Sequence, residues 1–347
     1  MANNSNQKEV LLEVDDIKGF YKKELEETVK AVNGVTFQLE EGETLGVAGE
    51  SGCGKSTLAK CISGLFNPPL EYMGGKIKLQ GNDILTLNNE ELRKNIRGKK
   101  ISYIPQSAMN ALNPTAKVKN LVWDIIHQHN SGVKKKEAIQ KAKDRSRELN
   151  LPLRVLDEYA CEFSGGMKQR IVIMLSTLLD PDVLIADEPT SALDVSTQKA
   201  LVKMLHGLVE KGLAKSLIFI THDLTTLRHA CDRIAVMYAG EFVEIGTIDQ
   251  IVFDPVHPYT NALISSILVP ERGIREKELE VISGKPPDLH NPPQGCKFYP
   301  RCDAPGKDKE VCTSEEPGMK IIENRQARCY FPLIEKESKL SDLAKNR

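Results

Sequence analysis

The chain predicts an α/β fold: a parallel-sheet core with helices, an antiparallel β region ahead of it, a helical insert within it and a small cysteine-rich extension behind it. Three observations carry this. "GESGCGKST" (Gly49 to Thr57) follows a β-prone run and opens a helix. "VLIA" and "LIFI" are short, wholly apolar runs, the pattern of strands buried on both faces of a parallel sheet. Helical segments separate them, and strand, helix, strand in succession indicates an α/β core.

Taken in order, "LLEV", "VNGVTFQL" and "TLGVAG" read as strands, and "KIKLQGNDIL" as a hairpin around Gly81 and Asn82. From about Val118 to Leu156 the spacing is helical, and "KKKE" and "KAKDRSRE" are its solvated faces. "SGGMKQRIVIMLSTLLD" is a helix with Ser164 as its N-cap and Pro181 beyond its end. "RIAVMYAGEFVEIG" turns back on itself at Ala239 and Gly240. After "DPVHPYT" the chain becomes rich in Pro and Gly, marking a linker into the extension. The expected boundaries are a main domain over 8–255 with its helical part near 107–180, an extension over 256–335 and a tail over 336–347.

With 347 residues the chain can bury a large core, and the length prior favours two domains. Its 47 Lys and Arg nearly cancel 48 Asp and Glu, which argues against a nucleic-acid partner. No run approaches the roughly 18 apolar residues of a spanning helix, and the polar start has no signal-peptide core. The expected location is the cytoplasm, which leaves room for docking onto a membrane protein and where thiols are kept reduced. No internal repeat is visible, so a chain built of two tandem copies of one domain is excluded.

The chemistry begins at Gly49 to Thr57, which fits G-x-x-x-x-G-K-[ST]. Gly49, Ser51, Gly52, Cys53 and Gly54 let consecutive backbone N–H groups turn inward on phosphate oxygens, and the helix starting near Lys55 aims its positive end at the same anion. Lys55 adds a point charge for the β- and γ-phosphates, Ser56 is placed to hold Mg²⁺, and Thr57 completes the motif. "VLIADEP" ends an apolar strand in two carboxylates. Asp187 is placed to hold Mg²⁺, and Glu188 to deprotonate the water that attacks the γ-phosphate. A strand ending in Asp-Glu is weak evidence alone; the phosphate loop strengthens it.

With "FSGGMKQR" a short distance before "VLIADE", the chain resembles the ATP-binding cassette ATPases over roughly residues 8 to 330. Ser164, Gly165 and Gly166 match that family's signature, while Phe163 and Met167 depart from its usual Leu and Gln. The resemblance implies ATP as substrate and a signature loop that closes over the nucleotide of the opposite subunit. It makes Gln106 of "YIPQS" a contact of metal and water, and His222 of "ITHD" a contact of the γ-phosphate. It also makes "SALD" a loop that communicates across the dimer, and Tyr21 the aromatic that stacks on adenine, a place neighbouring Phe20 could also fill. Repair and condensation members carry a long coiled coil, and translation factors a second cassette; neither is present here.

"HPYT" (His257 to Thr260) and "PPQGCKFYPRC" resemble the C-terminal extension of the dipeptide and oligopeptide importer ATPases. That resemblance implies a second related ATPase subunit as heterodimer partner, with a homodimer possible in isolation. It also implies two transmembrane permease subunits, an extracellular substrate-binding protein and a peripheral place on the cytoplasmic side of the membrane. Oligosaccharides or nickel are the alternative substrates within the branch, and a soluble non-transport cassette ATPase is the alternative class.

Cys296, Cys302, Cys312 and Cys329 stand at C-x5-C-x9-C-x16-C. A zinc site usually includes a closer pair, whereas a larger iron–sulfur cluster accepts wider spacings. Lys297 and Arg301 flank the first two thiols, placed to offset the charge of a thiolate-bound cluster. Spacing alone leaves cluster, zinc and unligated thiols open; the family resemblance implies a [4Fe-4S] cluster. Cys53, Cys61, Cys161 and Cys231 read as packing residues.

Overall fold

The computed structural model describes residues 9–22, 28–191, 193–266, 282–304 and 309–334. The expected tail over 336–347, and Ala192 of "SALD", lie outside them.

Two sheets form the body of the chain. In the smaller, β1 (Val10–Tyr21) pairs antiparallel with β2 (Val29–Glu40) on one side and β4 (Leu70–Leu79) on the other, and β5 (Asn82–Asp83) turns back on β4. The hairpin expected here is present, one residue earlier than read: Leu79 pairs with Asn82, and the turn is Gln80 and Gly81, both at positive φ.

The larger sheet runs β11-β12-β10-β9-β3-β8-β7-β6. Its parallel part is β3 (Thr44–Ala48), β6 (Ile101–Ile104), β7 (Val183–Asp187), β8 (Ser216–Ile220) and β9 (Arg233–Tyr238). The apolar runs are explained by where their side chains point. Val183, Ile185, Ile218 and Ile220 enter the core shared with the small sheet, while Leu184, Ala186, Leu217 and Phe219 enter the core shared with the helices. Each larger side chain so buried contributes roughly 1.5–3 kcal/mol.

Around this sheet lie α1 (Lys55–Ile62), the short α2 (Asn89–Glu91), then α3 (Val118–His129), α4 (Lys135–Glu148) and α5 (Gly165–Ser176) of the helical part. α6 (Val195–Glu210), α7 (Leu224–Leu227), α8 (Ile248–Phe253) and α9 (Pro258–Ser265) follow.

β10 (Glu241–Thr247) hairpins antiparallel onto β9 across Ala239 and Gly240, as expected. The end of the chain was not foreseen. After α10 (Lys309–Ser314), β11 (Lys320–Ile322) and β12 (Arg325–Ala327) add two antiparallel strands to the core sheet, with Ala327 opposite Glu244 and Gln326 opposite Ile245. Arg325, 5% exposed, pins this edge through Asp254 at 2.6 Å. The cysteine-bearing segment is therefore fastened to the core through backbone pairing.

Candidate nucleotide site and thiol cluster

The phosphate loop joins β3 to α1, and its glycines are required by close approach as well as by backbone angle. A Cβ on Gly49 (φ 150°) would lie 2.2 Å from the Met237 carbonyl oxygen, and one on Gly54 (φ 110°) 2.1 Å from that of Ala31. Gly54 starts α1, and the first intrahelical bond runs from Leu58 N–H to the Gly54 carbonyl at 2.8 Å. The amides of Lys55, Ser56 and Thr57 therefore have no intrahelical acceptor and point at the anion position. Lys55 Nζ donates to the carbonyls of Gly49 (2.8 Å) and Glu50 (2.9 Å), so the loop is closed on its own lysine.

Beside the loop, β7 delivers Asp187, fully buried. Its Oδ1 accepts from Ser56 Oγ and its Oδ2 from Tyr103 Oη, each at 3.1 Å. Burial pushes the Asp187 carboxyl up and Glu188 pushes it further, against these two hydrogen bonds. A cation between Ser56 and Asp187 would relieve that cost, and both offer the hard oxygen donors that Mg²⁺ takes. Tyr103 was missed in the sequence; its only signal is a place on β6, beside β7, two residues before Pro105.

Glu188 follows at φ 48°, a left-handed conformation costly for a side-chain-bearing residue. Its carboxylate receives the His222 backbone N–H at 3.0 Å and lies 2.8 Å from His222 Nδ1. The two residues, far apart in sequence, thus meet at the ends of β7 and β8. Tyr21 Oη lies 3.2 Å from Thr57 Oγ1. Through this contact Tyr21, at the end of β1, reaches α1. Gln106 is exposed on the loop leaving β6.

The signature segment lines a groove of its own. Ser164 caps α5, its Oγ accepting from Met167 N–H at 3.4 Å. Gly166 has no room for a side chain: a Cβ would lie 2.6 Å from Thr197 Cγ2. Ser164 and Gly166 line a groove with Arg170, Ser196 and Thr197, whereas Glu188 and His222 line another with Ser191, Gln198 and Thr221. No residue is common to both. Asp194 of "SALD" caps α6, accepting from the N–H groups of Ser196 and Thr197.

At the far end, Cys296, Cys302, Cys312 and Cys329 line one small cavity of about 20 Å³ with His257, Phe298 and Tyr330. Burial, then the neighbouring thiols, pushes Cys329 up to about 12. Burial likewise raises Cys296 to about 11, against hydrogen bonds from the Phe298 and Tyr299 backbone, with the other thiols adding to the rise. Among the described residues, no three His, Cys, Asp or Glu side chains are drawn together as a chelate for a single ion. Lys297 and Arg301, expected to offset thiolate charge, are each held by a carboxylate instead, Lys297 by Glu316 and Arg301 by Glu50. Cys53, Cys61 and Cys231 are buried as expected of packing residues, but Cys161 is exposed.

Among the described residues no helix is long and apolar enough to cross a membrane. A family model described as ABC transporter matches residues 32–191, and one described as the C-terminal region of oligopeptide/dipeptide transporters matches 243–308. The dipeptide transport ATP-binding protein DppD of Caldanaerobacter subterraneus subsp. tengcongensis is 40% identical over 309 residues, covering 89% of this chain and 92% of that one. The oligopeptide transport ATP-binding protein OppD of Bacillus subtilis is 42% identical over 291 residues, covering 83% and 80%. Among solved structures, a dimeric ATP-binding cassette in a post-hydrolysis state with ADP and Pi matches at TM-score 0.60 and 26% identity, over 69% of this chain and 99% of that one. Fold, phosphate loop and these likenesses agree: the chain belongs to the ABC transporter family, among its dipeptide and oligopeptide transport ATP-binding proteins.

Proposed function

We propose that this chain is an ATPase subunit on the cytoplasmic side of a membrane importer of dipeptides or oligopeptides. It hydrolyses ATP between its own phosphate loop and the Ser164-type loop of a second, related ATPase subunit. The observation that carries this pairing is that Ser164 and Gly166 line a groove to which none of the phosphate-loop residues Gly49 to Thr57, nor Glu188 and His222, contributes. A helix N-terminus able to meet an anion, in a groove that no residue of the chain's own phosphate loop lines, suits a nucleotide held by a partner. Two membrane subunits and an external substrate-binding protein complete the assembly, as the resemblance to the importer ATPases implies; the similar DppD and OppD are themselves transport ATP-binding proteins.

In the mechanism the backbone amides opening α1 and Lys55 hold the phosphates. Ser56, Asp187 and Gln106 would hold Mg²⁺, which when bound neutralises phosphate charge. Glu188, aimed by His222, takes the proton of the attacking water, and His222 faces the γ-phosphate. Tyr21 offers its ring to the adenine. The Ser164, Gly165 and Gly166 segment does the same work for the partner's ATP.

The four tail thiols support a [4Fe-4S] cluster, with zinc as the alternative. All four line one cavity, so a group bound to every one of them would cross-link the segment. Their wide C-x5-C-x9-C-x16-C spacing suits a cluster better than one tetrahedral ion. The cavity of about 20 Å³ would have to open to admit it. Such a cluster would serve as a covalent staple for the segment. Anaerobic purification should give a brown protein absorbing at about 400 nm; a colourless protein with stoichiometric zinc would overturn the assignment.

The main reading is tested by Glu188→Gln in the assembled complex. Turnover of ATP and peptide uptake should both fall by about 10²-fold or more while ATP is still bound. Undiminished turnover and uptake would refute it. The ligand retained by the external binding protein decides between peptide, oligosaccharide and nickel.

A further inference from the structure

Glu50 is the second residue of the phosphate loop, and each of its polar groups is held. Its carbonyl accepts from Lys55 Nζ at 2.9 Å. Its N–H donates to Tyr259 Oη at 2.9 Å. Its carboxylate takes both terminal nitrogens of Arg301, Nη1 to Oε2 at 2.7 Å and Nη2 to Oε1 at 3.0 Å. Two of these three partners come from the segment beyond residue 256, and Arg301 lies immediately before Cys302 of the thiol cavity.

The Arg301 side chain is itself fixed, being 5% exposed. Its Nε donates to the Ser283 carbonyl at 2.9 Å, its Nη1 also reaches Tyr238 Oη at 3.3 Å, and its guanidinium lies over the Tyr238 ring. A bidentate pair of this kind sets direction as well as strength. It also answers an electrostatic problem: a carboxylate inside a loop that receives a polyanion repels that anion unless it is neutralised and drawn aside.

We propose that Arg301 is a positioning residue for ATP. By neutralising Glu50 and holding it away from the anion position, it fixes the phosphate loop and the Lys55 contact, so the order of the thiol-bearing segment sets nucleotide affinity. This rests on the reading of Gly49 to Thr57 as the ATP site.

The test uses the assembled transporter with ATP as the probe. Arg301→Gln leaves Glu50 charged and unpaired, and should raise KM and the dissociation constant for ATP about 10- to 100-fold, with kcat changed less than about 3-fold. Adding Glu50→Gln removes the stranded charge and should bring the affinity back to within about 3-fold of the parent. A residue that merely holds the segment in place predicts no such rescue. Arg301→Lys, which keeps the charge and loses the fork, should fall between the two, and provides the measurement if Arg301→Gln does not fold. An unchanged KM in Arg301→Gln and Arg301→Lys, or a double variant as weak as Arg301→Gln, overturns the proposal. Lys55→Ala separates the two readings. If it binds ATP like the parent, the nucleotide site itself is wrong; if it loses ATP while the Arg301 variants bind normally, only the positioning role fails.

Discussion

His222 Nδ1 stands 2.8 Å from Glu188 Oε1, and the His222 backbone N–H donates to that same oxygen at 3.0 Å. The Glu188 side chain is 10% exposed and that of His222 67%, so the histidine forms the outer wall of the pair and the carboxylate the inner one. A carboxylate held at two points by one residue has little freedom to turn away from the water that the proposed mechanism gives it to deprotonate.

His222→Ala should therefore act on the chemical step. The backbone N–H still anchors one oxygen, but the ring no longer orients the carboxylate, nor takes the γ-phosphate contact proposed for it. Steady-state turnover in the assembled complex should drop by about 10²-fold, with ATP affinity within a few-fold of the parent. A variant that loses affinity and keeps its kcat would show that His222 serves binding instead.

Gly166 offers a test of packing in the signature segment. Its Cβ would meet Thr197 Cγ2 at 2.6 Å, and Thr197 has little room to yield: it is β-branched and its Oγ1 donates to Asp194 Oδ2 at 2.6 Å. Gly166→Ala should lower unfolding free energy by about 1–3 kcal/mol and impair ATPase activity in the complex. Thr197→Ser removes the clashing methyl and keeps the hydroxyl that Asp194 accepts, so the double variant should recover most of the loss. Equal denaturant midpoints for Gly166→Ala and the parent would show that the segment adjusts freely.

The difference between what was legible in the sequence and what was not follows the range of the interactions. The phosphate loop is a local object: glycine angles, a lysine and a helix start lie within nine residues. The runs Val183–Ala186 and Leu217–Ile220 are legible because both faces of β7 and β8 are buried there, which favours apolar residues at either parity. Tyr103 with Asp187 and Arg301 with Glu50 join residues 84 and 251 positions apart, and leave no trace in local pattern or propensity. β11 and β12 are three residues each, too short for alternation to register, and exist because β10 offers them an open edge. "HPYT" was noticed but not understood. In the structure His257 caps α9, accepting from Tyr259 N–H at 3.0 Å, and Tyr259 accepts from Glu50, so the motif links the thiol-bearing segment to the phosphate loop.

His257 also makes stability depend on pH. Burial holds its imidazole down at about 3, with the charge of Arg328 acting the same way and a hydrogen bond with the Arg328 backbone opposing them. Glu244 accepts the His257 N–H at 2.9 Å, and Phe298 packs against the ring at 6.0 Å between centroids. The folded chain thus keeps His257 neutral, while the unfolded chain protonates it below about pH 6.5. Because the folded value is the lower one, this contribution is complete above about pH 6.5 and is lost as pH falls from there toward 3. At about pH 5 the expected loss is about 2 kcal/mol relative to neutral pH. His257→Asn keeps a side-chain oxygen for the Tyr259 N–H and removes the titrating ring. Denaturant unfolding at about pH 7 and about pH 5 should show the parent losing about 2 kcal/mol more than the variant, since the carboxylates common to both cancel in the difference. Equal losses in the two proteins would mean that His257 is reached by solvent and protonates without unfolding its surroundings.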